Sequence, residues 1–291
     1  MLSEIPPQLI ALAAALSYAT SGIAAKRGLR YSTPATVTLV SLLIHTVGLW
    51  TLLLLTTGVP SVPLWVLFLF FITGTLQPVI RLFTYAGIHH MGASRGTTVR
   101  GSHPLVSVTI AIFFLGESAN FWILFGTVLI VSGVTLISWQ TAAPGGSYRW
   151  WHIGFPLGAA LLAGVSHPIR RHALGLANEP LFLAATMGIV SLLWMGSYMV
   201  SPLCREGPNW HRQAIGPFLL AGIFETLGIL LVIFALSVGQ VVVVSPIVAT
   251  SPLWILLGTW LFLQGIERLT LRTILGAIAV VSGTIAISLV R

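Results

Sequence analysis

The chain has 291 residues, of which 56% are hydrophobic and 7% charged, against roughly a quarter charged in a soluble domain. That leaves too few polar groups to cover a surface in water, so the composition excludes a soluble globular protein and points to lipid as the solvent. The formal charge of +8 does not signal nucleic acid, because the basic residues stand singly between apolar runs and form no stripe.

A membrane-crossing helix needs about 20 mostly apolar residues. Ten segments qualify, at roughly 7–27, 34–57, 64–88, 92–115, 119–139, 150–174, 179–201, 213–237, 240–263 and 270–290. Nothing alternates with the period of a membrane strand, so the spans read as helices. The first apolar run has no charged leader and no cleavage signal, so it reads as a retained span. Connections are short, as at Thr57-Gly58-Val59-Pro60 and Ser237-Val238-Gly239. The longest, around Pro144-Gly145-Gly146-Ser147, falls at the midpoint and divides the chain into a first unit, 1–140, a linker, 141–149, and a second unit, 150–291. Cys204 is the only cysteine, which excludes an intrachain disulfide and a cysteine metal site.

The two units repeat one another. His103-Pro104-Leu105 recurs as Ser251-Pro252-Leu253, 148 residues later. Gly126 and Val131-Ser132-Gly133 recur as Gly276 and Val281-Ser282-Gly283, with Glu117 matching Glu267, all 150 residues later. Pro34 matches Pro180, Gly74 matches Gly222, and Gln77 stands opposite Glu225. Five spans per unit is an odd number, so the second unit enters the membrane in the opposite sense. The expected fold is therefore an all-α membrane protein of ten transmembrane helices arranged as two inverted five-helix repeats. Inverted repeats are a plan of secondary transporters, with the substrate held near the midplane.

Pro104, Phe113-Phe114-Leu115-Gly116-Glu117, Gly126 and Ser132-Gly133 resemble the end of an EamA-type unit of the drug/metabolite transporter superfamily. Pro252, Phe262-Leu263, Glu267, Gly276 and Ser282-Gly283 form the second copy, which departs from the pattern where Gln264-Gly265-Ile266 interrupts it. The resemblance implies a ten-helix exporter or exchanger with a central cavity, cytoplasmic termini and a metabolite substrate. The motif residues themselves read as scaffold. Glycines seven apart share a helix face and permit close packing in lipid, and Glu117 and Glu267 suit the N-termini of the helices that follow them.

Charges deep in a span cost at least about 2.5 kcal/mol on insertion scales. Arg81, Arg100 and Glu225 lie there. Gln77, Arg81 and Tyr85 are spaced by four and form one stripe. Arg100, His103 and Ser107 form another, with Pro78 and Pro104 in or beside the stripes. Tyr18 and His167 mark the first and sixth spans. The expected substrate-binding residues are thus Tyr18, Gln77, Arg81, Tyr85, Arg100, His103, His167 and Glu225. Arginine suits a carboxylate or phosphate. Against this stands a pairing of Glu225 with one arginine, the other being held by carbonyls or water. Glu225 and the two histidines are candidates for proton coupling. His45 reads as a satisfied packing residue. Trp194 and Trp254 read equally as cavity lining or core, and Trp139, Trp150, Trp151 and Trp210 as an interfacial belt.

The expected function is secondary transport of a small metabolite with a carboxylate or other anionic group, such as an amino acid, coupled to a proton or counter-substrate. The alternatives are a receptor-like or structural membrane protein and, behind them, an intramembrane enzyme. No zinc, phosphate-loop or paired-aspartate motif is present, so no enzymatic activity, metal or cofactor is expected. The partners expected are substrate and bilayer, with no nucleic acid, in a monomer or homodimer of the plasma (inner) membrane. Loop arginines after odd-numbered spans would place the termini outside by the positive-inside rule, opposite to what the resemblance implies.

Overall fold

The computed structural model describes residues 5–138, 149–202, 204, 207–262 and 271–289. The expectations for the linker proline and glycines, Trp139, the Gln264 interruption and Glu267 fall outside these residues.

Every regular element described is helical. In chain order these are α1 (Pro7–Gly28), α2 (Pro34–Thr56), α3 (Leu64–Met91), α4 (Ala93–Arg100), α5 (His103–Leu115) and α6 (Phe121–Ser138). A short 3₁₀ turn at Trp150–Ile153 leads into α7 (Gly154–Leu176), α8 (Pro180–Val200), α9 (Arg212–Val238), α10 (Val241–Val248), α11 (Ser251–Phe262) and α12 (Leu271–Ser288). Proline opens several of them, where the missing N–H is an orphan in any case. Pro7, Pro34 and Pro180 each stand in a first turn, and Thr33 caps α2 by accepting from Thr36 N.

Among the described residues, seven segments are long and apolar enough to cross a bilayer, including Gly96–Leu115 and Val241–Gly258, which run through α4–α5 and α10–α11. Phe121–Leu136 and Ile274–Ser288 are shorter apolar helices. α7 has the length, at 23 residues, but carries His167, Arg170, Arg171 and His172 and is too polar to count with them. The surface is inside-out relative to a protein in water. Leu55 and Phe114 are 79% and 83% exposed while Arg81 is 1% exposed. The protein is an all-α, multi-pass integral membrane protein.

Two expected spans differ from their reading as continuous helices. The fourth breaks at Gly101-Ser102 and the ninth at Ala249-Thr250, in each case just before an X-Pro pair. Proline has no N–H, so the carbonyl four residues earlier loses its partner and the chain tightens into a 3₁₀ turn. Ser102 N bonds Val99 O at 3.2 Å and Thr250 N bonds Ile247 O at 3.1 Å. The breaks meet, since a Cβ on Gly101 would stand 3.4 Å from the Ala249 carbonyl oxygen.

Two long helix pairs, α1 with α9 and α6 with α12, run antiparallel: when one residue number rises, its partner's falls. Tyr18 meets Gly228 and Gly28 meets Phe218 between α1 and α9. Gly126 meets Gly283 and Gly133 meets Gly276 between α6 and α12. At both of these α6–α12 contacts a Cβ would stand 2.6 Å from the opposing carbonyl oxygen, so only glycine permits that approach. α2 packs along α8, α3 along α7, and α5 against α10.

The Leu115-Gly116-Glu117 motif has a different role from the one expected. Gly116 adopts the left-handed conformation at φ 66°, and Glu117 N reaches back to Ala111 O at 3.1 Å, which stops α5. The turn aims the carboxylate away from α6. Its two oxygens each accept at 3.0 Å from Val241 N and Val242 N, capping α10 instead. Arg171 donates to Leu236 O at the end of α9 and lies 3.9 Å from Glu117. Together they pin the α9–α10 turn.

Candidate functional site

The inward faces of α1, α3, α7 and α9 meet around Tyr18. Tyr18 is buried, and its ring fits because α9 has Gly228 there, where a Cβ would stand 2.8 Å from it. The Arg100 guanidinium lies over the ring, 5.2 Å from its centroid, at a distance where cation–π attraction operates. Glu225, Arg170 and Arg81 all lie within electrostatic reach of Tyr18. Three guanidiniums and one carboxylate therefore share one buried region.

The alternative, a pairing of Glu225 with an arginine, does not occur among the described residues. Glu225 Oε2 accepts from Ser21 Oγ at 3.0 Å, and the one ion pair among the described residues is the peripheral Arg171–Glu117 contact. Gln77, at the matching place in the first unit, accepts from Arg170 Nη2 at 2.8 Å.

Arg81 is held by neighbours. Nη1 donates to Ser41 Oγ and Nη2 to His45 Nδ1, both at 3.0 Å. His45 Nε2 lies 2.9 Å from Ala184 O. A carbonyl only accepts and a guanidinium only donates, so His45 is the Nε2–H tautomer with Nδ1 accepting. His45 is thus a satisfied histidine, as expected, but it belongs to the Arg81 network, which its isolation in the second span concealed. Arg100 differs, having no hydrogen bond among the described residues beyond its contact with Tyr18. Tyr85 approaches Ser21 and Ser41, yet its hydroxyl is buried without a bond of good geometry.

His103 and His167 come together beneath the first break, their rings 5.0 Å apart and edge to face. Both reach Ser245 Oγ from Nδ1, at 3.2 and 3.3 Å, and Ser107 Oγ lies 2.6 Å from the same hydroxyl.

Among the described residues, the fully buried polar atoms without a partner can all donate, with one exception. They include Nε of Arg81, Arg100 and Arg170, Tyr85 Oη and Trp254 Nε1, with the Ser166 and Thr226 hydroxyls. The exception, Gln8 Oε1, is at the start of α1. Each buried unpaired group costs about 1–3 kcal/mol. The region is short of acceptors.

All eight expected site residues are inward-facing, and the structure adds Arg170. Arg170 lies four residues from the end of the expected sixth span, 150–174, but α7 runs to Leu176 and buries it at 3% exposure. The signal was present, since Arg170 stands three residues after His167 on the same helix face. Arg171, the next residue, donates to Leu236 O at the end of α9. Trp194 does not line a cavity; it is 49% exposed on the outer surface and donates to Thr75.

The family model for the EamA-like transporter family matches residues 6–139 and 150–289. No curated protein matches significantly. Among solved structures 29 chains match. One, described as "Crystal structure of protein", has a TM-score of 0.75 over 98% of this chain and 99% of its own, at 16% identity. At that identity the likeness shows the fold alone. The family match covers nearly the whole sequence and agrees with the motif residues read above, so the chain belongs to the EamA-like transporter family, within the drug/metabolite transporter superfamily.

Proposed function

We propose that the protein is a secondary carrier for a small metabolite bearing a carboxylate or other anionic group, bound around Tyr18 and moved by alternating access. The observation that carries this is the charge balance of the buried centre. Three guanidiniums face one carboxylate that none of them engages, amid donors that lack acceptors. A carboxylate or phosphate supplies oxygens to such donors and offsets the excess positive charge. Arg100 and Arg170 are the ligands of choice, because Arg81 already has two partners. A substrate amine, as in an amino acid, would face Glu225.

The carrier reading includes ten membrane passes in two inverted units, 1–140 and 150–291, joined by 141–149. The passes are the seven long apolar segments, the two shorter ones and α7, kept in place despite its polarity by an inward polar face. Antiparallel contact between matching helices supports inversion, in α6 with α12 and in α2 with α8, and the contact of α5 with α10 has its counterpart in that of α11 with α4. α1 with α9 has its counterpart in α7 with α3. Matching breaks that touch at the centre supply a hinge in each unit, and discontinuous helices at the midplane are a transporter device.

The test is counterflow in proteoliposomes with a panel of amino acids, dicarboxylates and sugar phosphates. Saturable, trans-stimulated uptake of an anion is expected. Flux that is unsaturable, or confined to cationic solutes, overturns the reading.

A further inference from the structure

Ser245, at the junction of α5, α7 and α10, is over-subscribed. Its hydroxyl has Ser107 Oγ, His103 Nδ1 and His167 Nδ1 within hydrogen-bond distance. A hydroxyl donates once and accepts twice. If Ser245 donates to one histidine, the other histidine and Ser107 donate to it. If it donates to Ser107, both histidines donate to it. In every arrangement at least one histidine carries its proton on Nδ1, and the neutral form of that ring has a bare lone pair on Nε2.

Neither Nε2 makes a hydrogen bond among the described residues, yet neither is among the fully buried atoms left unbonded, so both retain accessible surface. A basic nitrogen thus faces a region otherwise rich in donors. The charged groups in reach of the pair are Arg100 on α4 and Arg170 on α7. α6 and α10 carry no ionisable side chain. Tyr18 on α1, Arg81 and Tyr85 on α3 and Glu225 on α9 are the other ionisable groups of the same region. An anion seated on the two arginines brings negative charge beside the pair, which favours a proton there.

We propose that His103, His167 and Ser245 form a one-proton site, filled at the bare Nε2 when an anion occupies Arg100 and Arg170. The proton comes from water: one N–H bond forms at Nε2, the donor water loses its proton, and no bond of the Ser245 cluster breaks. Linkage is reciprocal, so the proton strengthens anion binding by the same factor. This coupling rests on the carrier reading above, whereas the proton site itself is testable without any substrate.

The experiment is NMR of the full chain, labelled with ¹⁵N-histidine in lipid nanodiscs, between about pH 8 and about pH 4, a range spanning ordinary histidine titration. His103→Asn and His167→Asn assign the two signals. Arg170→Gln and Arg100→Gln each remove one opposing charge, so failure of either variant to fold leaves the other. One of the two rings is expected as the Nδ1–H tautomer at high pH. It becomes doubly protonated on acidification, with about tenfold greater proton affinity in the glutamine variants. Both rings in the Nε2–H tautomer, or no doubly protonated ring in any of these proteins, overturns the site. Either result leaves the counterflow test standing, so the two failures are distinguishable.

Discussion

Arg81 and Arg100 are two solutions to one problem, a guanidinium inside a membrane protein. On the α2–α3 face, Arg81 is sealed at 1% exposure and bonded to Ser41 and His45, with His45 anchored in turn to α8. On the α1–α4 face, Arg100 sits at a helix break, partly exposed, with only an aromatic ring beneath it. The first is built into the fold. The second is left with its hydrogen-bonding capacity unspent, which is how a ligand-binding group looks before its ligand arrives. The difference separates a residue that shapes the centre from one that uses it.

Replacing Arg81 by Met should have the largest effect, and on stability. It strands His45 Nδ1, at about 1–3 kcal/mol for a buried group left unpaired, and takes from Ser41 Oγ the donor it accepts from, leaving that hydroxyl its bond to Thr38 O. The apparent melting temperature in detergent should fall clearly. An unchanged melting temperature would make Arg81 a spare group like Arg100. Arg100→Gln should instead leave melting nearly unchanged and weaken apparent substrate affinity about ten- to hundredfold, the worth of a lost charge-assisted bond. Loss of fold in Arg100→Gln would erase the contrast.

Smaller effects sharpen the same division between frame and site. Glu117→Ala removes the cap on α10 and should cost about 0.5–2 kcal/mol, lowering melting while affinity in the surviving carrier stays constant. Trp194→Phe removes one outer-surface bond to Thr75 and should change stability by under about 0.5 kcal/mol. A loss of transport there would place Trp194 in the site after all.

The sequence made the frame legible because lipid imposes simple rules. Apolar runs of the right length and glycines seven apart are local signals, and the structure bears out the glycine seam of α6 with α12. The inward stripe of α3 was legible too, since spacing by four fixes a helix face, whereas Arg100 and His103 stand on either side of the break between α4 and α5. What the sequence concealed depends on partners far along the chain. Glu117 reads as a cap for the next helix, and only tertiary packing sends it to α10. His45 has no polar neighbour on its own helix, and its partner Arg81 arrives from α3. Arg170 lies near a span end by count, and only the packing of α7 on α3 shows it facing Gln77. Pro104 and Pro252 were legible as matching residues of the repeat, but whether proline kinks a helix or splits it depends on the turn before it.

The account turns on Arg100 acting on substrate while Arg81 acts on structure. The most direct measurement is counterflow of the best anionic substrate in proteoliposomes containing wild type, Arg100→Gln or Arg81→Lys, with folded protein quantified in each. The account predicts that Arg100→Gln raises the half-saturating concentration about ten- to hundredfold while Arg81→Lys, which keeps the charge, leaves it near wild type per folded molecule. Wild-type affinity in Arg100→Gln would contradict it.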